Sequence, residues 1–460
     1  MSIPRFVISA TQRSSGKTTV SIGLTCCLIQ NGLRVQTFKK GPDYIDSMWL
    51  KAASGRDCYN LDQFMMGDDV VISSFKNRIK DADIAIIEGN MGLHDAMNIN
   101  GSGSTAHLAK TLKSPVILVI NAEGMNRGIA PLVMGYQQFD RDIQIIGVIL
   151  NRVKSIRHEA KLKNALQQYC AMEVFGAIPY DTELQITERH LGLIPIEEEP
   201  ELKSIFYGIE KTIREYINIE RVIEKVKEFS NQGFDVDSEI LEINSFNNKD
   251  VSDIKIGIAR DRAFNFYYPE NLEALENCGA KLIPFDTIND SKLPDVDAIY
   301  IGGGFPEVFM NELENNFKLR HNIKNAIDKG MPVYAECGGL MYLSKSIFWK
   351  GKIRQMVGGI PCSIEQTDKP KGLGYVTLFS NGSFMPKGKI NAHEFHYSKV
   401  VSLKEVNYIC SVERGFGIDG KHDGLIYKNV IASYAHLHSN ACPKWAESFI
   451  RFIKKAHMKL

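Results

Sequence analysis

The sequence predicts an α/β protein with two domains, each built around a parallel sheet that helices cover on both faces. At 460 residues the chain is longer than one ordinary domain. Short runs rich in Ile and Val alternate with longer segments of helical period, which is the order typical of parallel sheets. We expect an N-terminal domain at 1–196, a helical segment and linker at 197–252, and a C-terminal domain at 253–460.

The strands of both domains are predicted from apolar runs that turn residues bound. In the first domain these runs are "RFVISA", "DIAIIEG", "PVILVIN" and "IQIIGVILN". The segment "KTTVSIGLTCCLIQNG" has helical character and ends at Gly32, a residue suited to a helix C-terminus. After a polar linker the strand signal restarts with "IKIGIA", "AKLIPF", "DAIYIGGG", "MPVYAECGG" and "VIASYAHLH".

The composition excludes several classes of protein. The net charge is +1, so we expect no global attraction to nucleic acid or to a membrane. No apolar run approaches the roughly 18 residues that span a bilayer, and no signal sequence opens the chain. The nine cysteines include no Cys-x-x-Cys pair. We expect a cytoplasmic protein with reduced thiols that binds small molecules, and neither nucleic acid nor membrane.

A phosphate-binding loop is predicted where "ISATQRSSGKTTVSIGL" follows the first strand and opens the first helix. Gly16 permits close backbone approach, Lys17 can reach the phosphates, and the Thr18 hydroxyl can bind Mg²⁺. The usual first glycine of such loops is absent, and an ordinary helix preceded by Ser and Thr is the alternative. The residues assigned to nucleotide binding are Ser14, Ser15, Gly16, Lys17, Thr18 and Thr19.

Acidic residues follow two of the predicted strands. Glu88 ends "DIAIIEG" and precedes a glycine-rich turn with Asp95, while Asp43 and Asp46 follow "FKKGP". Carboxylates at the C-terminal ends of parallel strands face the crevice where such sheets bind ligands. The alternative is that these acids are solvated turn residues. We assign Mg²⁺ to Thr18, Asp43 and Glu88.

Cys337 is the predicted nucleophile of a second site. In "MPVYAECGGLMYL" it lies between a strand and a helix, with glycine behind it, as in a nucleophile elbow. The helix N-terminus is expected to favour the thiolate. Backbone amides of Gly338, and of Gly303 and Gly304 in "IYIGGGFPE", are the predicted oxyanion hole. Other cysteines, such as Cys26, Cys27, Cys170 and Cys410, are interpreted as packing residues.

A histidine near the end of "VIASYAHLHSN" is the expected base for this thiol. His436 and His438 are two residues apart, hence on one side of the chain if it is extended. Together the two sites suggest that the cysteine releases ammonia from glutamine. ATP would convert a carboxylate to an acyl phosphate, which the ammonia attacks.

At these residues the sequence resembles the cobyrinic acid a,c-diamide synthase family, over nearly the whole chain. The matching strings include "SSGKTT", "KGPDYID", "EGNMGLHD", "ERHLGL", "YIGGGFPE", "AECGGLMYL", "HEFHYS" and "ASYAHLHSN". The resemblance implies a dethiobiotin synthetase-like P-loop NTPase domain in the first half. It implies a class I glutamine amidotransferase domain, with a flavodoxin-like sheet, in the second.

The resemblance also implies an activity and assigns residues to it. The activity is ATP- and Mg²⁺-dependent amidation of the a and c acetate carboxylates of cobyrinic acid in cobalamin biosynthesis, with glutamine as nitrogen donor. Cys337 is then the nucleophile and His436 its base, with His438 in reserve, and Asn151 belongs to the nucleotide site. The residues assigned to the tetrapyrrole substrate are Asp43, Tyr44, Asp46, Asp95, Arg189 and His190.

Several alternatives stay open at this point. The same diamidation of hydrogenobyrinic acid or of nickel-sirohydrochlorin is compatible with these residues, and cobyric acid synthase is the nearest competing enzyme. A regulatory ATPase of the chromosome-partitioning kind would lack "AECGGLMYL", and a scaffold protein descended from the enzyme would be expected to lose Cys337, Lys17 or Glu88. The order of the two amidations, the route of ammonia, and the choice between monomer and homodimer are not predicted.

Overall fold

The computed structural model describes residues 3–180, 188–189, 192–199, 201–230, 253–404 and 406–458. These residues form two compact units. The second unit contains 64–66 and the described residues from 253 onwards, and the first unit contains the others. The linker expected before residue 253 falls in 231–252, outside the described residues.

The first unit contains a sheet of seven parallel strands in the order β3-β2-β4-β1-β5-β6-β7. The central strand β1 is entirely buried, and its neighbours β4 and β5 follow it much later in the chain. The loop after β1 therefore opens at the middle of the sheet's C-terminal edge, where such sheets bind ligands. The strands are β1 (Arg5–Ala10), β2 (Val35–Lys40), β3 (Tyr59–Leu61), β4 (Ile84–Glu88), β5 (Val116–Asn121), β6 (Ile145–Val153) and β7 (Val174–Pro179), with a separate hairpin of β8 (Glu188–Arg189) and β9 (Gly192–Leu193).

Helices cover this sheet, and two of them are in very close contact. A Cβ at Gly23, within α1, would lie 2.2 Å from Ile213 Cγ1 of α8, so only glycine permits this close helix contact. The charged amphipathic segment after residue 197 therefore packs as part of the first unit. The helices are α1 (Lys17–Gln30), α2 (Ile45–Ser54), α4 (Asp68–Ile79), α5 (Thr105–Thr111), α6 (Ile129–Phe139), α7 (Ile156–Cys170), α8 (Leu202–Tyr216) and α9 (Ile219–Ser230), with a 3-10 turn at Ile196–Glu198. The short helix α3 (Gln63–Met66) falls mostly in the second unit.

The second unit contains a nine-stranded sheet in the order β12-β10-β13-β15-β24-β23-β22-β19-β20. Its first five strands are parallel and, numbered by their appearance in this half, follow the order 2-1-3-4-5 of flavodoxin-like folds. The remaining four are antiparallel and extend the sheet. These strands are β10 (Lys255–Ala259), β12 (Lys281–Phe285), β13 (Ala298–Ile301), β15 (Val333–Glu336), β19 (Gly372–Ser380), β20 (Gly388–His396), β22 (Asn407–Arg414), β23 (His422–Tyr427) and β24 (Val430–Ser433).

Smaller elements complete the second unit. A four-stranded sheet has the order β17-β16-β18-β21, and β11 pairs with β14. Their bounds are β11 (Phe264–Phe266), β14 (Gly303–Gly304), β16 (Ser346–Trp349), β17 (Lys352–Gln355), β18 (Ser363–Gln366) and β21 (Ser398–Val401). The helices are α10 (Pro269–Asn277), α11 (Met310–Asn315), α12 (Phe317–Asp328), α13 (Gly338–Leu343) and α14 (Trp445–His457).

The predicted α/β class with two sheets is confirmed. Every apolar run that the sequence indicated as a strand contains one, and α1 ends where expected, with Gly32 at a φ of 80° just beyond it. The antiparallel extension of the second sheet was not predicted. Across the described ranges, no helix is both long enough and apolar enough to cross a bilayer.

Candidate functional site

The loop between β1 and α1 has the backbone shape of a phosphate site. Gly16 caps α1 with a φ of 92°, and a Cβ there would lie 2.2 Å from Asn151 Nδ2, so glycine is required on both grounds. Asn151 Nδ2 donates to the carbonyl of Ser15 at 2.9 Å, and Ser15 Oγ donates to the carbonyl of Gln12. Asn151 thus lies against this loop. The same turn carries the other residues predicted to bind nucleotide, Ser14, Lys17, Thr18 and Thr19.

Lys17 is buried at the start of α1. Burial, assisted by the charge of Lys39, lowers the pKa of the Lys17 ammonium group to about 8. Glu88, Asp46 and Asp95 act in the opposite direction and do not offset the burial. The loop therefore places an ammonium group where it lacks solvent and gains most from an incoming polyphosphate.

Lys39 lies among the predicted acidic residues and was not predicted itself. It is opposite Glu88 in the pairing of β2 with β4, and only 1% of its side chain is exposed. Its ammonium group donates to Asp46 Oδ2 at 2.5 Å and to Glu88 Oε1 at 2.9 Å, and it is 3.9 Å from Asp43 Oδ2. Three carboxylates from two strand ends therefore meet around one buried cation.

The carboxylates of this cluster differ in how readily they ionise. Burial and then the neighbouring charge of Asp46 raise the pKa of Asp43 to about 7. Burial opposes the ionisation of Asp46 too, but Lys39 outweighs it and lowers the pKa of Asp46. Burial raises the pKa of Glu88 despite Lys39. Asp43 is thus the member that can exchange a proton near neutral pH.

The turn that carries Asp43 is fixed by hydrogen bonds. Ser47 Oγ and Asn60 Nδ2 donate to the carbonyl of Asp43 at 2.7 and 2.9 Å. Asp43 Oδ1 accepts from the backbone amide of Asp46 at 3.0 Å, and Tyr44 between them is buried at the start of α2. The predicted substrate residues Asp43, Tyr44 and Asp46 therefore form one rigid turn beside Lys39.

The residues assigned to Mg²⁺ have the chemistry for it, although the described part of the chain contains no cluster of three or more His, Cys, Asp or Glu arranged as a ligand set. Thr18 Oγ1 donates to Glu88 Oε1 at 2.7 Å, so these two oxygens are already adjacent. Glu88 Oε2 is buried without a hydrogen-bond partner. Mg²⁺ in nucleotide sites is held by one or two carboxylates with phosphates and water, so the set fits.

The other residues predicted to bind the substrate are Asp95, Arg189 and His190. Asp95 is exposed, and its Oδ2 accepts from the backbone amide of Gly92 at 2.8 Å. Gly92 lies against the phosphate loop, because a Cβ there would be 3.0 Å from the carbonyl of Thr11. Asp95 is thus at the rim of the same site. The side chain of Arg189 and the whole of His190 lie outside the described residues.

Cys337 occupies a strained turn between β15 and α13. Its φ of 47° and ψ of −101° are unusual for any residue except glycine. Its amide donates to the carbonyl of Ser433 at 2.7 Å, and its Sγ contacts the carbonyl of Phe395 at 3.7 Å. The predicted elbow geometry is present, and the turn is fixed by the neighbouring strand β24.

The thiol of Cys337 is not activated by its surroundings alone. Burial, and next the charge of Glu307, raise the pKa of Cys337 above the ordinary value for cysteine. The backbone amide of Gly338, at the N-terminus of α13, favours the thiolate as expected, but burial outweighs it. The thiol needs a base that takes its proton as it reacts.

The predicted oxyanion glycines are brought together. A Cβ at Gly338 would lie 2.9 Å from the amide nitrogen of Gly304, and a Cβ at Gly303 would lie 2.5 Å from His436 Cε1. Neither position has room for a side chain. The two glycine turns therefore meet behind Cys337, and His436 lies directly against Gly303.

His436 is held in a buried group of polar residues. Its amide donates to the carbonyl of His393 at 2.8 Å, and the two imidazoles stack with centroids 4.8 Å apart. Its Nδ1 is 3.7 Å from Glu336 Oε2. Burial lowers the pKa of His393 well below its usual value, so that ring is neutral. His393 therefore contributes packing beside His436.

His438 lies in a separate environment. The strand β24 ends at Ser433, so the expectation that both histidines share one side of an extended segment does not apply. His438 Nδ1 accepts from the amide of Asn440 at 3.1 Å, its Nε2 is 3.6 Å from Glu270 Oε2, and its ring contacts Tyr268. Both nitrogens of His438 thus face protein groups.

Sequence reasoning missed two buried charged residues that shape these sites, Lys39 and Asp423. Asp423 accepts from the amides of Tyr434 and Ala435 at 3.0 and 2.9 Å, and so fixes the turn that leads to His436. Neither strand is otherwise apolar, since β2 reads "VQTFKK" and β23 begins "HDG", so no local pattern distinguishes these two residues from solvated ones.

Two family models match the chain. Residues 6–194 match the CobQ/CobB/MinD/ParA nucleotide binding domain, and residues 255–443 match the CobB/CobQ-like glutamine amidotransferase domain. A cobyrinate a,c-diamide synthase from Magnetococcus marinus is 43% identical over 98% of this chain and 97% of its own length. Proteins of the same name from Archaeoglobus fulgidus and Priestia megaterium are 39% and 40% identical over 100% and 99% of this chain, and over 99% and 98% of their own lengths.

Proposed function

Because this chain belongs to the cobyrinate a,c-diamide synthase family, we propose that it amidates the a and c acetate carboxylates of cobyrinic acid in cobalamin biosynthesis. ATP drives the reaction and glutamine supplies the nitrogen. The observation that carries the proposal is that one chain holds both a phosphate loop with a buried lysine and a cysteine elbow lined by glycine amides. Its substrates ATP and glutamine are metabolites of the cytoplasm, where we place the reaction.

Glutamine hydrolysis takes place in the second unit. The Cys337 sulfur attacks the side-chain amide carbon of glutamine while His436 takes the thiol proton. Amides of Gly303, Gly304 and Gly338 donate to the oxyanion, and each such donor is worth about 3 kcal/mol in comparable sites. When the C–N bond breaks, ammonia leaves with the proton from His436. Water then hydrolyses the thioester to glutamate, and the thiol is regenerated.

Amide formation takes place in the first unit. Lys17 and the amides of the phosphate loop hold the β- and γ-phosphates of ATP. The substrate acetate attacks the γ-phosphorus, giving an acyl phosphate and ADP. Ammonia then attacks the acyl carbon and inorganic phosphate leaves, so that each amide consumes one ATP and one glutamine. The turn of Asp43, Tyr44 and Asp46, with Asp95 at the rim, orients the carboxylate substrate.

The Mg²⁺ that this chemistry uses would be held by Thr18, Glu88 and Asp43. When bound, Mg²⁺ neutralises charge on the phosphates. The buried Glu88 Oε2 and the raised pKa of Asp43 support this assignment, because a cation would satisfy the first and displace the proton from the second. Lys39 keeps Asp46 and Glu88 in place.

The proposal is tested by incubating the protein with ATP, Mg²⁺, glutamine and each candidate macrocycle, and by counting added amides by mass. We expect two amides on cobyrinic acid. Two amides formed only on hydrogenobyrinic acid or on nickel-sirohydrochlorin would assign the chain to the corresponding relative of that enzyme. No amide on any of the three would overturn the proposal.

A Cys337→Ala variant tests the division of labour between the units. Glutamine-driven amidation should fall below detection, because the nucleophile is missing, while ammonium chloride at high concentration should restore both amides. If ammonia fails in a folded variant that still binds ATP, the assignment of separate ammonia-producing and ammonia-using sites is wrong.

A further inference from the structure

Glu336, the residue immediately before Cys337, is a buried carboxylate whose hydrogen bonds all come from neutral groups. Tyr334 Oη and the amide of Leu437 donate to its Oε1 at 3.0 and 3.1 Å, and Tyr300 Oη donates to its Oε2 at 3.2 Å. Burial, and next the charge of Glu336, raise the pKa values of both tyrosines well above normal, so both phenols remain donors. None of these donors neutralises the charge of the carboxylate.

Another neighbour of this carboxylate is the proposed base. Glu336 Oε2 lies 3.7 Å from His436 Nδ1, and both side chains are at most 2% exposed. A buried carboxylate is costly unless a positive charge accompanies it, and an imidazolium at this distance supplies that charge. Because Leu437 follows His436 directly, the bond from its amide also holds the backbone of the base against the same carboxylate.

We propose that Glu336 is a positioning residue for glutamine hydrolysis, so that Cys337, His436 and Glu336 act as a triad. This inference rests on the proposed function. Glu336 holds the Nδ1–H tautomer of His436, which leaves Nε2 to take the thiol proton, and it stabilises the imidazolium until the proton passes to ammonia.

The second histidine, His438, is not placed to take the proton of a thiol. His438 Nδ1 accepts from the Asn440 amide and its Nε2 faces Glu270 at 3.6 Å, so neither nitrogen is directed at a thiol. His436, in contrast, contacts Gly303 of the oxyanion turn with its Cε1 edge, between its two nitrogens. The geometry therefore selects His436 as the base and makes the pair of Glu270 and His438 a natural control.

The charged groups around His436 determine what a substitution of Glu336 would change. Glu336 faces this ring from the end of β15, and the neutral ring of His393 stacks on it from β20. Removing the charge of Glu336 should slow glutamine hydrolysis, because an adjacent carboxylate stabilises the imidazolium that forms when His436 takes the thiol proton.

The experiment compares Glu336→Gln with the matched variant Glu270→Gln in the full chain. Glutamine hydrolysis is measured as kcat and KM across pH 5.5–9, and ammonia-driven amidation is measured alongside. We expect Glu336→Gln to lower kcat for glutamine roughly 10²-fold with KM within about twofold, because positioning partners contribute on that scale. Ammonia-driven amidation should be unchanged. Glu270→Gln should stay within about threefold of wild type.

A third variant distinguishes positioning from folding. Glu336→Asp keeps the charge but withdraws it from His436, so its kcat should lie between those of Glu336→Gln and wild type, with KM unchanged. Equal kcat values for Glu336→Gln and Glu270→Gln would overturn the triad. If Glu336→Gln does not fold, a kcat of Glu336→Asp equal to that of wild type would overturn it as well. Wild-type protein that fails to hydrolyse glutamine would instead refute the proposed function.

Discussion

The lowered pKa of Lys17 predicts that ATP binding takes up a proton in alkaline solution. A fall from 10.5 to about 8 means that charging this buried amine costs about 3 kcal/mol relative to an amine in water. Bound phosphates should return the pKa to about 10 or higher, because an opposite charge in contact favours the ammonium form. At pH 9 the free protein then holds roughly 0.1 proton on Lys17 and the complex roughly 0.9, an uptake of about 0.8 proton.

The uptake is measured by titration calorimetry of Mg²⁺·ATP binding at pH 9 in two buffers that differ in ionisation enthalpy. At that pH the pKa of about 7 leaves Asp43 deprotonated in both states, so its proton does not enter the count. Affinity should fall by up to about tenfold per pH unit above 8. Lys17→Arg, whose guanidinium stays charged, should bind more weakly without proton uptake. An uptake below about 0.3 proton in wild type, or equal uptake in both proteins, would refute the reasoning.

Two further substitutions separate the units. Glu88→Gln should abolish amidation with either glutamine or ammonia, because it removes the anion that Lys39 and Mg²⁺ share. Glutamine hydrolysis should continue in this variant. Amidation within about threefold of wild type would contradict the prediction. Gly303→Ala should lower glutamine hydrolysis at least about 10²-fold, because its Cβ would lie 2.5 Å from His436 Cε1 and displace the base. Ammonia-driven amidation should persist. Gly135→Ala, where a Cβ meets open space, is the matched control.

The fold could be predicted because most of its parallel strands are contiguous apolar runs that are largely buried. Each run rich in Ile and Val marked a parallel strand, and the order of runs and helical segments implied covered sheets. The antiparallel strands β19, β20 and β22 escaped prediction for the opposite reason. Their burial alternates with exposure and is interrupted, so polar residues divide their apolar positions into runs too short to stand out.

The two candidate sites were likewise predicted only where a continuous stretch of sequence supplies their residues. Residues that a single strand–turn–helix segment supplies, such as Lys17 and Cys337, were visible because their motif is local. The residues that surround these two sites come from elsewhere in the chain. Lys39 meets Glu88 only through the register of β2 with β4, and the carboxylate of Glu336 reaches His436 only because β15 pairs with β24. Sheet register is a tertiary property, which no local pattern of residues reports.

The two turns also show how chemistry selects the residue that a strained backbone carries. Gly16 and Cys337 both follow the central region of a parallel sheet, and both have positive φ values, 92° and 47°. At the phosphate loop the ligand is bound by backbone amides, so glycine relieves the strain at no cost. At the elbow the reacting atom is the side chain, and glycine would remove it. A cysteine kept at that φ therefore signals a side chain that the site requires, and the hydrogen bond from its amide to Ser433 is part of what holds it there.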